Sequence, residues 1–287
     1  MLPNIALSLL LFPGLALALV LGVLLGWLLE RRWPGRGVLR LGSLRGLPGQ
    51  VALLSIGLAG AGLALLPWPF HPAAGWAAIG SPALVWALFE AAALLPLLPG
   101  YLSPQPLAAR AAVREAQIGV AGRCVFWLAA GAALWGQAWS LPRAPGFVLV
   151  ALGGLLALPA AIGAGPFGAE RSLAPAGAEE GLDEDTKALV RLARSVRGAA
   201  LIAALGVALL PATWGQSLPP ALAGRATSQI QPAIGLAIVA LLFAALALSL
   251  RQLAGVLPRL TLPAALRWCW LRALPLALVG LIYLAVI

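Results

Sequence analysis

Charged residues make up only 10% of this 287-residue sequence, against roughly 25% in a soluble domain. So few charges cannot cover a surface that faces water. With 62% apolar residues and a mean hydropathy of +0.97, the surface must face lipid instead. Long polar stretches are also missing, which leaves no material for a soluble domain and makes residues 1–287 one transmembrane domain. Cysteine is scarce: Cys124 and Cys269 are the only two, and His71 is the only histidine. Without a CxxC pair or a Cys/His cluster, the chain lacks the ligands for its own zinc, haem or iron–sulfur centre. His71 sits in WPFHPAAG and reads as a loop residue near the membrane face. No fixed-period repeat is visible, which speaks against transporter folds built from paired repeats.

What is present is a series of apolar runs, near 5–29, 51–67, 82–100, 113–137, 145–165, 188–210, 232–250 and 264–287. A spanning helix needs about 20 apolar residues, and proline or charge marks the breaks. The expected fold is therefore all-α, a polytopic membrane protein of about eight transmembrane helices. Trp27, Trp33, Trp68, Trp135, Trp139, Trp214 and Trp268 gather near the run ends, where indoles favour the headgroup level.

The formal charge of +10 does not point to nucleic acid, because the arginines cluster beside apolar runs. Arg31, Arg32, Arg36, Arg40 and Arg45 follow the first run; Arg110 and Arg114, then Arg171 and Lys187, then Arg251, Arg259 and Arg267 follow the third, fifth and seventh. The alternate connections hold only Arg143 and Arg225. The excess of basic residues lies on the cytoplasmic side. That places loops at about 30–50, 100–113, 166–187 and 251–263 inside, and both termini on the outer, periplasmic side. The first run lacks a basic leader and reads as a retained helix.

Four segments resemble the H subunit of respiratory complex I and the related membrane-bound hydrogenase subunits. Glu30-Arg31-Arg32 followed by Arg40, Gly42, Arg45 and Pro48 is similar to that family's ER[RK] and RxGPNRVGP, with Ser43 and Leu44 replacing its Pro and Asn. Pro258, Arg259, Arg267, Trp270 and Pro275-Leu276 resemble PRxRxDQLMxLGWKxLLPL, without its Asp and with Arg272 one residue beyond its Lys. AAVREAQ resembles GALRAAAQ or GASREA. Ala169-Glu170, Gly177 and Ala188-Leu189-x-x-Leu192-Ala193 resemble AExELVxGxxTEYSGxxxALxxLAE, although Gly181-Leu182-Asp183-Glu184 stands in place of EYSG. The resemblance implies a subunit of a redox-driven proton pump in the bacterial inner membrane. It would anchor the peripheral arm, form part of the quinone chamber and couple electron transfer to proton translocation, with no redox centre or covalent cofactor of its own. Quinone would sit at the interface with partner subunits. The implied partners are the iron–sulfur and quinone-site subunits of that arm, antiporter-like membrane subunits and the lipid bilayer. A small-solute transporter and a non-redox scaffold of a related assembly are the alternatives.

By this resemblance Arg31, Arg40 and Arg45 border the chamber and the arm; as plain residues they are positive-inside anchors or one face of an interfacial helix. Six of the nine acidic residues lie within 170–185. Among them Glu170, Glu179, Glu180 and Asp183 form either a solvated loop or a docking and proton-relay surface. Glu90, Glu115 and Arg123 lie in or beside spans, where a charge costs about 2.5–3.5 kcal/mol and calls for a partner or a function. Arg123 occupies the place where the family usually carries a buried Glu. Arginine cannot shed its proton, so it needs an acid or a hydrated cavity. Glu90 is the expected acid, with Glu115 pointing toward the interface.

Overall fold

A computed structural model describes residues 2–30, 46–72, 81–135, 140–168, 179, 181–210 and 227–287. It is helical, with no strand among the described residues. Helices α1 (Leu2–Leu10) and α2 (Leu15–Glu30) form one interrupted span, broken at 11–14 around Pro13. α3 (Leu47–Ala64), α4 (Pro82–Leu94), α5 (Leu98–Tyr101), α6 (Pro106–Trp135) and α7 (Ala144–Ile162) follow. α8 (Glu184–Ala208), α9 (Thr227–Val256), α10 (Leu262–Arg267), a π-helical turn Trp268–Ala273 and α11 (Leu274–Val286) complete the chain.

Among the described residues, seven segments are long and apolar enough to cross a membrane: Pro3–Leu29, Leu47–Ala64, Pro82–Tyr101, Pro106–Leu134, Ala144–Ile162, Pro232–Val256 and Leu262–Val286. The protein is a polytopic helical membrane protein. α8, expected as the sixth span, is not one of the seven, because even its most apolar eighteen residues, 191–208, carry three arginines. Several helices begin before their apolar runs. α6 starts at Pro106, α8 at Glu184 and α3 at Leu47, and α9 continues to Val256. The connections expected at 100–113 and 251–263 thus shrink to 102–105 and 257–261. Charged residues at helix ends keep the backbone helical while their side chains reach outward.

α8 runs through the middle, against α2, α3, α4, α6, α7 and α9, and every residue from Val196 to Ala208 is buried. Small residues bring the backbones together, as in membrane bundles generally. A Cβ added at Gly22 on α2 would lie 2.7 Å from the Val196 Cα. Pro96 interrupts the run from α4 to α5 and has no N–H for the Ala92 carbonyl one turn back. Ser55 of α3 supplies that hydrogen bond, its hydroxyl donating at 2.6 Å. α7 ends at Gly163, whose φ of 69° is the left-handed conformation that closes many helices.

Two ends of the bundle are defined by hydrogen bonds. At one end, Arg114 donates to the carbonyls of Gly168 at 3.2 Å and Leu260 at 2.6 Å, and the Leu260 amide donates to Pro166. The connections after α7 and after α9 therefore meet the start of α6. At the other end Arg143 reaches the carbonyl of Ile287 at 3.4 Å and Tyr283 donates to Pro142 at 3.0 Å.

Candidate functional site

The site lies where α4, α6, α7 and α8 meet. Glu115, Gly119 and Arg123 are spaced i, i+4, i+8 on α6 and so share one face. Arg191, Arg194 and Arg197 are spaced i, i+3, i+6 on α8 and form a second charged stripe. The α7 end and the α4 kink close the sides.

Arg123 Nε donates to Glu90 Oε1 of α4 at 2.8 Å, with side-chain exposures of 4% and 13%. The pairing expected from the energetics of buried arginine is therefore present. Arg123 Nη1 also donates to Ala161 O at 3.4 Å. That carbonyl belongs to the last turn of α7, which has no helical donor of its own and attracts a cation. Gly119 makes room for the guanidinium: a Cβ there would sit 2.7 Å from Arg123 Nη1.

Glu115 does not point toward the interface as expected. Its side chain is 8% exposed, with Arg194 Nη2 at 3.1 Å and Arg197 Nη2 at 3.7 Å. The reason is α8, whose arginine stripe faces it and removes it from solvent. Arg194 also binds Glu179, which Arg191 holds from the other side at 3.1 Å. Arg197 Nη1 donates to Ala93 O of α4 at 2.7 Å. The result is a charged column in two parts: half-exposed Arg191, Glu179, Arg194, Glu115 and Arg197, joined by ion pairs, and beyond them the Arg123–Glu90 pair. From Glu115 to Arg123 it extends about 12 Å along α6. Four arginines face three glutamates, leaving one positive charge.

A cavity lined by Ala93, Leu97, Glu115, Gly119, Arg123, Ala161, Gly163 and Arg197 interrupts the column, with room for about one water molecule. Arg123 Nη2 and Arg197 Nε, on two of its lining residues, have no hydrogen-bond acceptor. Buried donors without an acceptor are rare, and two beside one small cavity mark it as a polar site.

Of the remaining sequence expectations, Asp183 is the N-cap of α8, its carboxylate accepting from the Thr186 amide at 2.9 Å. Hydrogen bonds from Thr186, side chain first and backbone second, hold its carboxyl below the usual range. Glu184 is exposed and pairs with Lys187 at 2.9 Å, which lowers its carboxyl too. His71 bonds the Ala64 carbonyl at 2.8 Å at the end of α3. Arg31, Arg40, Arg45, Glu170 and Glu180 lie outside the described residues. No cluster of three or more His, Cys, Asp or Glu that could hold a metal occurs among the described residues. Arg191, Arg194 and Arg197 were not singled out by the sequence reading. Their i, i+3, i+6 spacing beside an apolar run was the available signal.

No protein-family model matches the chain, and no curated protein matches it.

Proposed function

We propose that this chain is the H-subunit-like membrane component of a complex I-type, redox-driven proton pump, with the buried charged column as its coupling element. The observation that carries the reading is Arg194 shared between Glu115 and Glu179. Two carboxylates share one cation, so a movement that withdraws Glu179 from it and from its other partner Arg191 leaves Arg194 to Glu115 alone. Glu179 belongs to the acidic segment 170–185, read as a docking and proton-relay surface, so a docked partner supplies the cause of such a movement. Arginine holds its proton, so the carboxylates of the column, not its cations, are the groups left to respond to such a movement. The cavity between Arg123 and Arg197 has room for about one water, beside the two unpaired guanidinium nitrogens and Glu115. In this reading α8 also spans, sixth in chain order, bringing the total to eight, and is shielded from lipid by its neighbours. The end joined by Arg114 faces the cytoplasm of a bacterial inner membrane, and both termini face outward. Arg31, Arg40 and Arg45 border a quinone chamber completed by the peripheral arm, which carries the iron–sulfur centres; antiporter-like subunits adjoin the bundle.

The test is purification of the tagged chain from its native membrane in mild detergent. Co-purifying iron–sulfur polypeptides with quinone reductase activity, reduced at least tenfold by Glu115→Gln, is the expected result. Recovery of the chain without redox partners overturns it. A second reading, a scaffold of a related assembly, is favoured by Arg123 standing where the family carries Glu and by arginine neutralising every carboxylate of the column. In that case the assembly co-purifies and Glu115→Gln leaves turnover unchanged.

A further inference from the structure

We propose that Arg267, Trp268 and Arg272 form a binding site for the phosphate of an anionic phospholipid headgroup. This inference rests on the fold alone and not on the coupling role above. The sequence contains no acidic residue after Asp185, and no carboxylate among the described residues pairs with Arg267 or Arg272. Both arginines are exposed.

The backbone turns them toward the same side. In an α-helix, residues five apart point roughly 140° away from each other. A π turn bonds i to i+5 and carries the fifth residue back over the first. The Leu274 amide donates to Cys269 O in this way, and Arg267 and Arg272 are five apart across that turn. The Arg272 guanidinium lies 4.9 Å from the centre of the Trp268 ring, so it extends back one turn toward the helix N-terminus. The indole is fixed in turn: its Nε1 donates to Leu156 O of α7 at 2.9 Å, and Phe167 meets its edge with ring centres 6.0 Å apart. A planar cation stacked on a fixed ring presents its N–H groups in one geometry, suited to bidentate contact with phosphate.

Depth agrees. The segment Leu262–Val286 has 25 residues, and about 20 cross the hydrocarbon. Counted back from Val286, the boundary falls near Arg267. Arg272 starts about 7.5 Å deeper and leans toward the helix N-terminus, as helical side chains do, returning its charge to headgroup level. Trp270 is exposed beside it, as an interfacial indole would be.

The experiment uses the full chain in mixed micelles with equimolar phosphatidylglycerol and phosphatidylcholine of identical acyl chains, with retained lipid counted by native mass spectrometry. Preferential retention of phosphatidylglycerol is expected, falling at least tenfold in Arg267→Gln/Arg272→Gln and unchanged in Arg143→Gln at the opposite end. Excess inorganic phosphate should not displace it. Equal retention of both lipids by the wild type overturns the proposal, as does wild-type retention by the double variant. Displacement by inorganic phosphate would assign the site to a free anion and overturn the lipid source. If the double variant does not fold, the wild-type competition alone decides.

Discussion

Gly122 of α6 lies against Ala161 of α7 so closely that a Cβ at 122 would fall 2.4 Å from the Ala161 amide nitrogen. The two helices meet backbone to backbone, one residue before Arg123. That approach sets Arg123 within reach of the Ala161 carbonyl, so the packing of α6 on α7 and the position of the buried guanidinium are one fact.

Gly122→Ala should therefore destabilise the bundle by about 1–3 kcal/mol, the usual cost of overpacking. Gly57 has open space around its would-be Cβ, and Gly57→Ala should be neutral or gain up to about 1 kcal/mol from helix propensity. Thermal unfolding of the two variants in one detergent compares them directly; equal midpoints would refute the backbone contact.

Arg123→Leu leaves Glu90 buried without its cation. Breaking one side of a buried pair costs about 3–5 kcal/mol. Adding Glu90→Gln should recover most of that loss, because the remaining amide is neutral. A double variant no more stable than Arg123→Leu would show that Glu90 is compensated by something other than Arg123.

Asp183→Ala removes the N-cap of α8 and should cost about 1 kcal/mol or less at pH 7. The carboxyl titrates lower when folded than when unfolded. Its contribution is present above the unfolded value of about 3.9 and is lost as pH falls through the lower folded value. Wild type and variant should therefore converge in helicity and melting temperature as pH is taken below about 4. A difference that persists at the lowest pH would argue against the cap.

Topology is testable with single cysteines at Ser43 and Ser217 in a variant lacking Cys124 and Cys269. An impermeant thiol reagent applied to intact cells should label position 217 and leave 43 unlabelled. Labelling of both from the same side would remove the assignment of the arginine-rich connections to the cytoplasm.

The apolar runs were legible because hydropathy is local, and the helices lie where the runs fell. The Glu90–Arg123 pair was legible for a similar reason: Glu90 was the one acid in the middle of an apolar run, Glu115 lying at the start of its own, and buried arginine has few alternatives. Glu115 was misplaced because its surroundings come from Arg194 and Arg197, about 80 residues later in the chain. The depth of Glu179 was hidden in the same way, since an acidic segment reads as solvated until the arginines that receive it are known. Gly122 gave no warning at all, since nothing in the local sequence says which neighbour will need the space.

The arginine stripe of α8 also bears on the order in which the chain is made. An arginine at the centre of an isolated helix costs about 2.5–3.5 kcal/mol on insertion, and α8 carries three within 191–208. Its carboxylate partners, Glu115 and Glu179, both precede it in the sequence, as does the Ala93 carbonyl that takes Arg197. When α8 leaves the ribosome, the groups that neutralise its arginines have already been synthesised, whereas a circular permutant that began at α8 would present the same arginines before Glu115 or Glu179 existed to receive them.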